Sequence, residues 1–283
     1  MKDEICNVLD EANFFEQQGY EKTSSQIVSL AKSVDNKQTT SIKGILDAVI
    51  KIGETFKMEF ENAYPAGKDY RRKCYSQTQV IVFAGLMAVD KEQLPPPEYL
   101  VDLLKKMNQR DEYVNSLSKS LAELLQKDDR SSEESNNMFR DACTIYEQAI
   151  EGIFSSAAKI LYFLMAKMGI SLPETTASDG VWDIWHNFEK SHLEIPIFLE
   201  NWPEKNSIRN AIAHSQNQYD PILDSVHFVS RDKVGKITYE SPDAMTFSDF
   251  FAMWMQIADA IDSLRYSMRL YGIFQSLAIA SFP

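Results

Sequence analysis

Glycine and proline are scarce in this chain, ten of each among 283 residues. Sandwiches and barrels depend on many tight turns, and tight turns depend on those residues, so the shortage favours long helices. Cysteine is sparse as well: Cys6, Cys74 and Cys143 are odd in number and far apart. They form neither a disulfide framework nor a zinc spacing, and a reducing, cytoplasmic setting is expected. The four histidines, at 186, 192, 214 and 227, do not approach metal-ligand spacing. No metal and no cofactor is expected. Long apolar runs are missing too. The longest, "VIVFAGLMAV" at 80–89, is about half the length of a bilayer span. The opening "MKDEICNVLDEANFFEQQGY" lacks a basic start and a continuous apolar stretch, so it does not read as a signal peptide. A soluble protein with no membrane segment is expected.

Positive charge is also in short supply. The formal net charge is −12, which excludes a broad nucleic-acid-binding face, because phosphate contacts need clustered Lys and Arg. The deficit is uneven. Residues 1–127 carry 17 basic and 19 acidic side chains, net −2, whereas 128–283 carry 12 and 22, net −10. Any RNA chemistry in the second half must use a small local site. Apolar residues are plentiful at 44%, with 16 Phe, 12 Tyr and 4 Trp, enough to build a substantial core.

The clearest break is "QKDDRSSEESNN" at 126–137, polar throughout. It suggests a helical domain over 1–127, a polar linker at 128–137 and a second helical domain over 138–283. In the first domain, "SIKGILDAVIKIGETFKMEFENAY" (41–64) places Ile42, Ile45 with Leu46, Val49 with Ile50, and Ile52 with Phe56 at helical spacing. Leu100, Leu103, Met107, Arg110, Val114, Leu117, Leu121 and Leu124 alternate spacings of three and four, the seam of a bundle or coiled coil. Arg110 alone among the eight is polar. The prolines of "LPPPEY" (94–99) precede that helix, where they cost least. Four or five helices are expected, either a plain bundle or a dimerising hairpin.

After the break, Asn136 or Asn137 can cap a long helix, "MFRDACTIYEQAIEGIFSSAAKILYFLMAKMG". Its inward face runs through Phe139, Cys143, Tyr146, Ile150, Phe154, Ala157 and Leu161, and Gly169 stands where a C-terminal glycine belongs. A loop, the aromatic helix "VWDIWHNFEKSH" and a short helix "IPIFLENW" ending at Pro203 follow. "DSVHFVSRDKVGKITYESPD" alternates at Val226 and Phe228 around a glycine turn, which predicts a small β-hairpin. Thr246 or Ser248 starts the last long helix. The fold class is therefore all-α, two helical bundles with a hairpin inserted in the second.

One phrase carries chemistry: "SIRNAIAHSQNQYD" at 207–220, read as a helix capped by Asn206 or Ser207. At about 100° per residue, Ile208, Ala211, Ile212 and Ser215 fall on one inward face. Asn210 and His214 are an i,i+4 pair on the other side. Arg209 lies about 140° from His214 but has the length to reach back. A helix N-terminus at this motif would favour anions. Histidine titrates near neutrality and suits removal of a ribose 2′-hydroxyl proton. A guanidinium can clamp two oxygens of the phosphorane that forms. The leaving 5′-oxygen needs an acid, and a second copy of His214 in a symmetric dimer would supply it.

These residues resemble the signature of the HEPN superfamily (higher eukaryotes and prokaryotes nucleotide-binding), an arginine, a polar residue that is often asparagine, and a histidine four to six residues after the arginine. Arg209 matches the arginine, Asn210 the polar residue and His214 the histidine. An Arg-Asn pair with His at this spacing is expected by chance at a rate of about 0.006 in such a chain. The resemblance extends to the flanking long helices and covers 136–283. It implies a metal-independent endoribonuclease that acts on RNA and dimerises through the motif-bearing face, as in toxin–antitoxin and anti-phage systems. An antitoxin or regulatory partner would follow. A non-catalytic nucleotide-binding or protein-interaction module is the alternative. Members neutralised by a nucleotidyltransferase carry a tyrosine two residues after the histidine, where this chain has Gln216.

The remaining polar residues have plainer readings. His186 sits among Trp182, Trp185 and Phe188 as a half-buried ring. His192 ends a short helix, and His227 alternates outward in a strand. Asp220 and Asp224 read as turn formers, and Ser215 lacks the partners of a nucleophile. "GKDYRRKCY" (67–75) is the one basic cluster, either a solvated helix face or a stacking contact for RNA.

Overall fold

The computed structural model describes residues 2–39, 41–63, 68–91, 98–127, 129–174, 180–243 and 245–281. Five helices come first: α1 (Lys2–Gln17), α2 (Glu21–Asp35), α3 (Ile42–Ala63), α4 (Lys68–Lys91) and α5 (Glu98–Leu125). α6 (Ser132–Gln148) runs through a π-helical turn (Ala149–Phe154) into α7 (Ser155–Lys167). Then come α8 (Val181–Lys190), a 3-10 turn (Ile197–Leu199), α9 (Trp202–Ala213), β1 (Asn217–Asp220), β2 (Ser225–Arg231), β3 (Ile237–Glu240) and α10 (Phe247–Ser281). The all-α expectation with one small β insertion describes this architecture. The "LPPPEY" prolines and residues 175–179 lie outside the described residues.

The chain forms two compact units, Met1–Leu86 with Asp262–Pro283, and Met87–Ile261. The polar stretch at 128–137 therefore lies inside a unit, not between two. Its residues make a tight junction. Arg130 Nη1 donates to the carbonyls of Leu124, Leu125 and Lys127 at the end of α5. Ser131 then caps α6 in a reciprocal capping box with Glu134. The cap falls five residues before Asn136, whose side chain instead donates to the Ser132 carbonyl. α5 belongs with the second unit because its seam packs there: Met107, Val114 and Leu121 are buried, while Arg110 is exposed.

In the first unit, the α3 stripe buries Ile45, Val49, Ile52, Phe56 and Phe60. Phe56 is the hub of a ring cluster, 4.5 Å from Tyr266, 4.8 Å from Tyr20, 5.1 Å from Tyr75 and 5.4 Å from Phe15 between centroids. Tyr266 comes from α10, which explains why the end of the chain joins this unit. The basic cluster is largely a solvated helix face, with Lys68, Arg72 and Lys73 exposed and Tyr70 half-buried. Arg71, Cys74 and Tyr75 are interior. The Arg71 guanidinium lies 4.2 Å over the Phe60 ring and Nη1 donates to the Phe60 carbonyl at 2.8 Å. Arg71 and Tyr75 are thereby withdrawn from any stacking contact with RNA. α2 begins after Tyr20, which supplies no side-chain cap. Glu59 substitutes, accepting from the amides of Lys22 and Thr23 and from the Thr23 hydroxyl.

In the second unit, the expected inward face of the long helix is buried at every position from Phe139 to Leu161 named above. The continuous helix Ser132–Lys167 is long and apolar enough to cross a membrane by length and composition, but 67% of its apolar window is buried inside the protein. A core position accounts for its apolarity. Gly169, at φ +85°, closes α7 with Ile170 N–H on the Met165 carbonyl and its own N–H on the Ala166 carbonyl. Pro203 does not stop a helix. It occupies the first turn of α9, where a missing N–H costs nothing, and the preceding short helix is a single 3-10 turn.

β1, β2 and β3 form one antiparallel sheet in that order, with Asn217 opposite Phe228 and Val229 opposite Glu240. It gains a strand over the expected hairpin because the chain leaves α9 already extended. Val226, Phe228 and Ser230 point inward. Phe228 packs 5.0 Å from Phe250 at the start of α10, and Phe250 packs 5.2 Å from Tyr146 of α6. Thr246 caps α10, exchanging hydrogen bonds with Asp249.

Candidate functional site

α9 is seated by Trp202, Lys205, Ile208 and Ala211, every third residue, all buried. Trp202 stacks on Phe154 at 5.4 Å. The Tyr146 hydroxyl donates to the Lys205 carbonyl at 3.1 Å, and burial holds that phenol well above its ordinary range, so it stays a neutral donor. Lys205 is 1% exposed, and its amine donates to the Glu200 carbonyl at 2.7 Å. A lysine in the inward stripe is not foreseeable from an apolar pattern. Ile208 and Ala211 face inward as the spacing predicts, whereas Ile212 is only half-buried and Ser215 is exposed.

The motif lies at the C-terminal end of α9, not at its N-terminus. The helix starts at Trp202, eight positions earlier than the motif's second residue, and His214 is the C-cap. Ser215 then adopts φ +55°, its N–H on the Ile212 carbonyl, with Gln216 N–H on the Ala211 carbonyl at 2.7 Å. This closing pattern normally takes glycine at the left-handed position. Free amides are therefore absent at the motif, and an anion there must be met by side chains.

Arg209 and Asn210 are half-buried and His214 is exposed. Arg209 Nη1 lies 3.3 Å from Glu151 Oε1, with side chains 30% and 47% exposed. A pair this exposed contributes on the order of 1 kcal/mol or less, so its chief effect is to orient the guanidinium. Arg209 Nε is buried without a hydrogen-bond partner among the described residues. The side chains of Asn210 and His214 are not tied down by hydrogen bonds among the described residues. Asn210 therefore does not orient the imidazole within one chain. Nor do the three residues line a described cavity together. A polar cleft of about 980 Å³ lies alongside, lined by Asn136, Arg140, Ile212, Ser215, Asn217 and Tyr219 among others, but not by Arg209, Asn210 or His214.

Glu151 was not legible in the sequence. It sits in the π turn as an exposed acid like many others, and nothing local records its pairing with Arg209 far along the chain. Arg110 did leave a signal, as the polar break in the α5 seam. Its Nη1 donates to Gln148 Oε1, one residue before the π turn. The other polar residues keep their plain readings. His186 stacks 5.9 Å from Trp182, His192 stands in a left-handed turn, and His227 lies 3.5 Å from Glu240. Asp220 Oδ1 accepts from the amides of Ile222 and Leu223, and Asp224 accepts from the Tyr219 hydroxyl. Burial, reinforced by Glu147, pushes the Cys143 thiol up, so it is not a thiolate nucleophile. Among the described residues no group of His, Cys, Asp and Glu is placed to hold a metal. No family model matches this chain, and neither the curated proteins nor the solved structures yield a match.

Proposed function

We propose that the end of α9 is half of a metal-independent endoribonuclease site in a cytoplasmic HEPN-type protein, completed by a second copy of the chain. The observation that carries this reading is an exposed, unbonded His214 one turn beyond an arginine held in place by Glu151. One His214 takes the ribose 2′-hydroxyl proton as that oxygen attacks phosphorus. The bond to the 5′-oxygen breaks, the 5′-oxygen takes a proton from the partner's His214, and a 2′,3′-cyclic phosphate remains. Arg209 neutralises charge that builds on the phosphorane. A toxin or anti-phage role, with an antitoxin or other regulatory partner, is the setting such chemistry suits.

Cleavage of total cellular RNA in EDTA tests the proposal. Wild type should give defined fragments with 2′,3′-cyclic ends, and His214→Ala should lose activity by about 10²–10⁴-fold while staying folded. Equal cutting by both proteins, or a divalent metal required in the chemical step, would overturn it.

A second reading is a non-catalytic nucleotide-binding or protein-interaction module. It is favoured by the Arg209–Glu151 pair, which occupies part of the guanidinium, and by the net −10 of residues 128–283. Calorimetric titration with nucleotides, on a protein that cuts no RNA, would support it.

A further inference from the structure

We infer that Arg110 of α5 and Arg209 of α9 form a two-arginine clamp for an RNA phosphodiester at the π turn. The inference rests on the ribonuclease reading and assigns a substrate contact to a helix outside the motif. Both arginines are held by the same short stretch. Arg110 donates to Gln148, immediately before the π turn, and Arg209 pairs with Glu151 within it. Residues 148 and 152 share a helix face, and 151 borders it.

The packing at Gly152 shows that the Arg110 stem lies across this stretch, although the residue as a whole stays exposed. A Cβ added at Gly152 would come 2.7 Å from Arg110 Cγ and 3.1 Å from Cδ. Glycine is what lets the arginine stem cross the turn. The partner Arg110 has there is an uncharged amide, so its positive charge is retained, whereas Arg209 is already shared with a carboxylate. An anion settling beside the turn would meet one guanidinium with no carboxylate partner among the described residues and one oriented guanidinium. Two planar forks suit the paired oxygens of a phosphodiester. This role accounts for an arginine in an otherwise apolar seam: its stem packs on Gly152 while the residue stays exposed. Basic residues are outnumbered in 128–283, 12 against 22 acidic, and Arg110 adds a positive charge to that segment's site from the helix before it.

The test is fluorescence anisotropy of a short 5′-fluorescein-labelled oligouridylate in EDTA, on a His214→Ala background that prevents cutting. Arg110→Ala should weaken binding about tenfold and lower the slope of log K against log salt by about 0.7. Arg110→Lys should keep the slope and lose part of the affinity, because a point charge replaces a fork. Gly152→Ala should weaken binding by displacing the Arg110 stem. Circular dichroism and thermal melting of each variant should match the parent. Parental affinity and slope in Arg110→Ala would overturn the clamp, as would a parent that does not bind the oligouridylate. RNA cleavage by wild type together with parental affinity in Arg110→Ala removes the clamp and leaves the nuclease. Lost affinity in Arg110→Ala, with a wild type that never cuts RNA, keeps the clamp and removes the nuclease.

Discussion

The two units of the chain differ in how many of their unusual residues lie at open helix ends. In Met1–Leu86 with Asp262–Pro283 they are interior: Arg71 lies over the Phe60 ring, and the Tyr75, Thr78 and Ser267 hydroxyls are buried. Burial raises the Tyr75 phenol far above its ordinary range, which keeps it neutral. In Met87–Ile261 Lys205 and Asp259 are buried too, but further unusual residues are at helix ends and on the surface. His192, Asn201, Ser215 and Asp224, four of the five non-glycine residues with positive φ, are there, with the π turn and the half-exposed Arg209. Polar groups sealed in a ring cluster specify packing, whereas charges and strained backbone at an open helix end are available to a ligand. The contrast is what directs attention to α9.

The sharpest way to test that contrast is at its extremes. Phe56→Ala removes the hub of the ring cluster and should cost about 3–5 kcal/mol in a urea melt, without altering RNA cleavage per folded molecule. A cost under about 1 kcal/mol would mean that the cluster does not anchor its unit.

At the α6 entrance the expected effect is smaller. Ser131→Ala should cost about 1 kcal/mol by equilibrium unfolding. The same cap carries a pH signature. The Lys127 ammonium, then the Ser131 amide and hydroxyl, hold the Glu134 carboxyl down at about 2, against an ordinary 4.5. A depressed carboxylate stabilises fully above 4.5 and loses that contribution as pH falls through 2. Hydrogen-exchange protection factors in the first turn of α6 should therefore fall across that window, and Lys127→Ala should move the window upward. Protection factors that stay constant from pH 5 to 2 would show that the capping box does not hold the helix end.

The smallest effect concerns two helix ends of the same design. α7 closes on Gly169, and α9 closes on Ser215 in the same left-handed conformation. Ser215→Gly should raise stability by roughly 0.5–1 kcal/mol, and Gly169→Ala should lower it by a similar amount. Thermal melts of the pair decide this. A Ser215→Gly protein that is more stable but cuts RNA less well would tie the strained turn to the placement of His214.

Much of this was legible in the residues. Helical periodicity located the α3 stripe and the inward face from Phe139 to Leu161, and the glycine rule located the end of α7. Alternation at Val226 and Phe228 located β2, and Thr246 located the start of α10. Errors arose where several residues satisfy one rule. Ser131 and Asn136 are both good caps, and the choice fell to Ser131 because Glu134 completes its box. Pro203 reads equally as a stop or a first turn. The motif's place at the end of α9 depended on that proline, so the anion-favouring amides expected there belong to another part of the helix. The division of the chain was hidden because Tyr266 meets Phe56 from some two hundred residues away, and local pattern carries no record of such pairing. Arg71 was misjudged for a similar reason: a charge is not expected in a core unless a ring and a carbonyl are there to receive it.

The π turn has a consequence for how this protein can change over time. A π turn holds one more residue than an α turn, so α6 and α7 keep the relative phase of a regular helix one residue shorter. Removing a single codon within 149–154 would therefore leave both flanks in register and delete only the bulge. Glu151 lies in that bulge, so the turn can be gained or lost without repacking the long helix, and the feature at stake is the local placement of Arg209's partner.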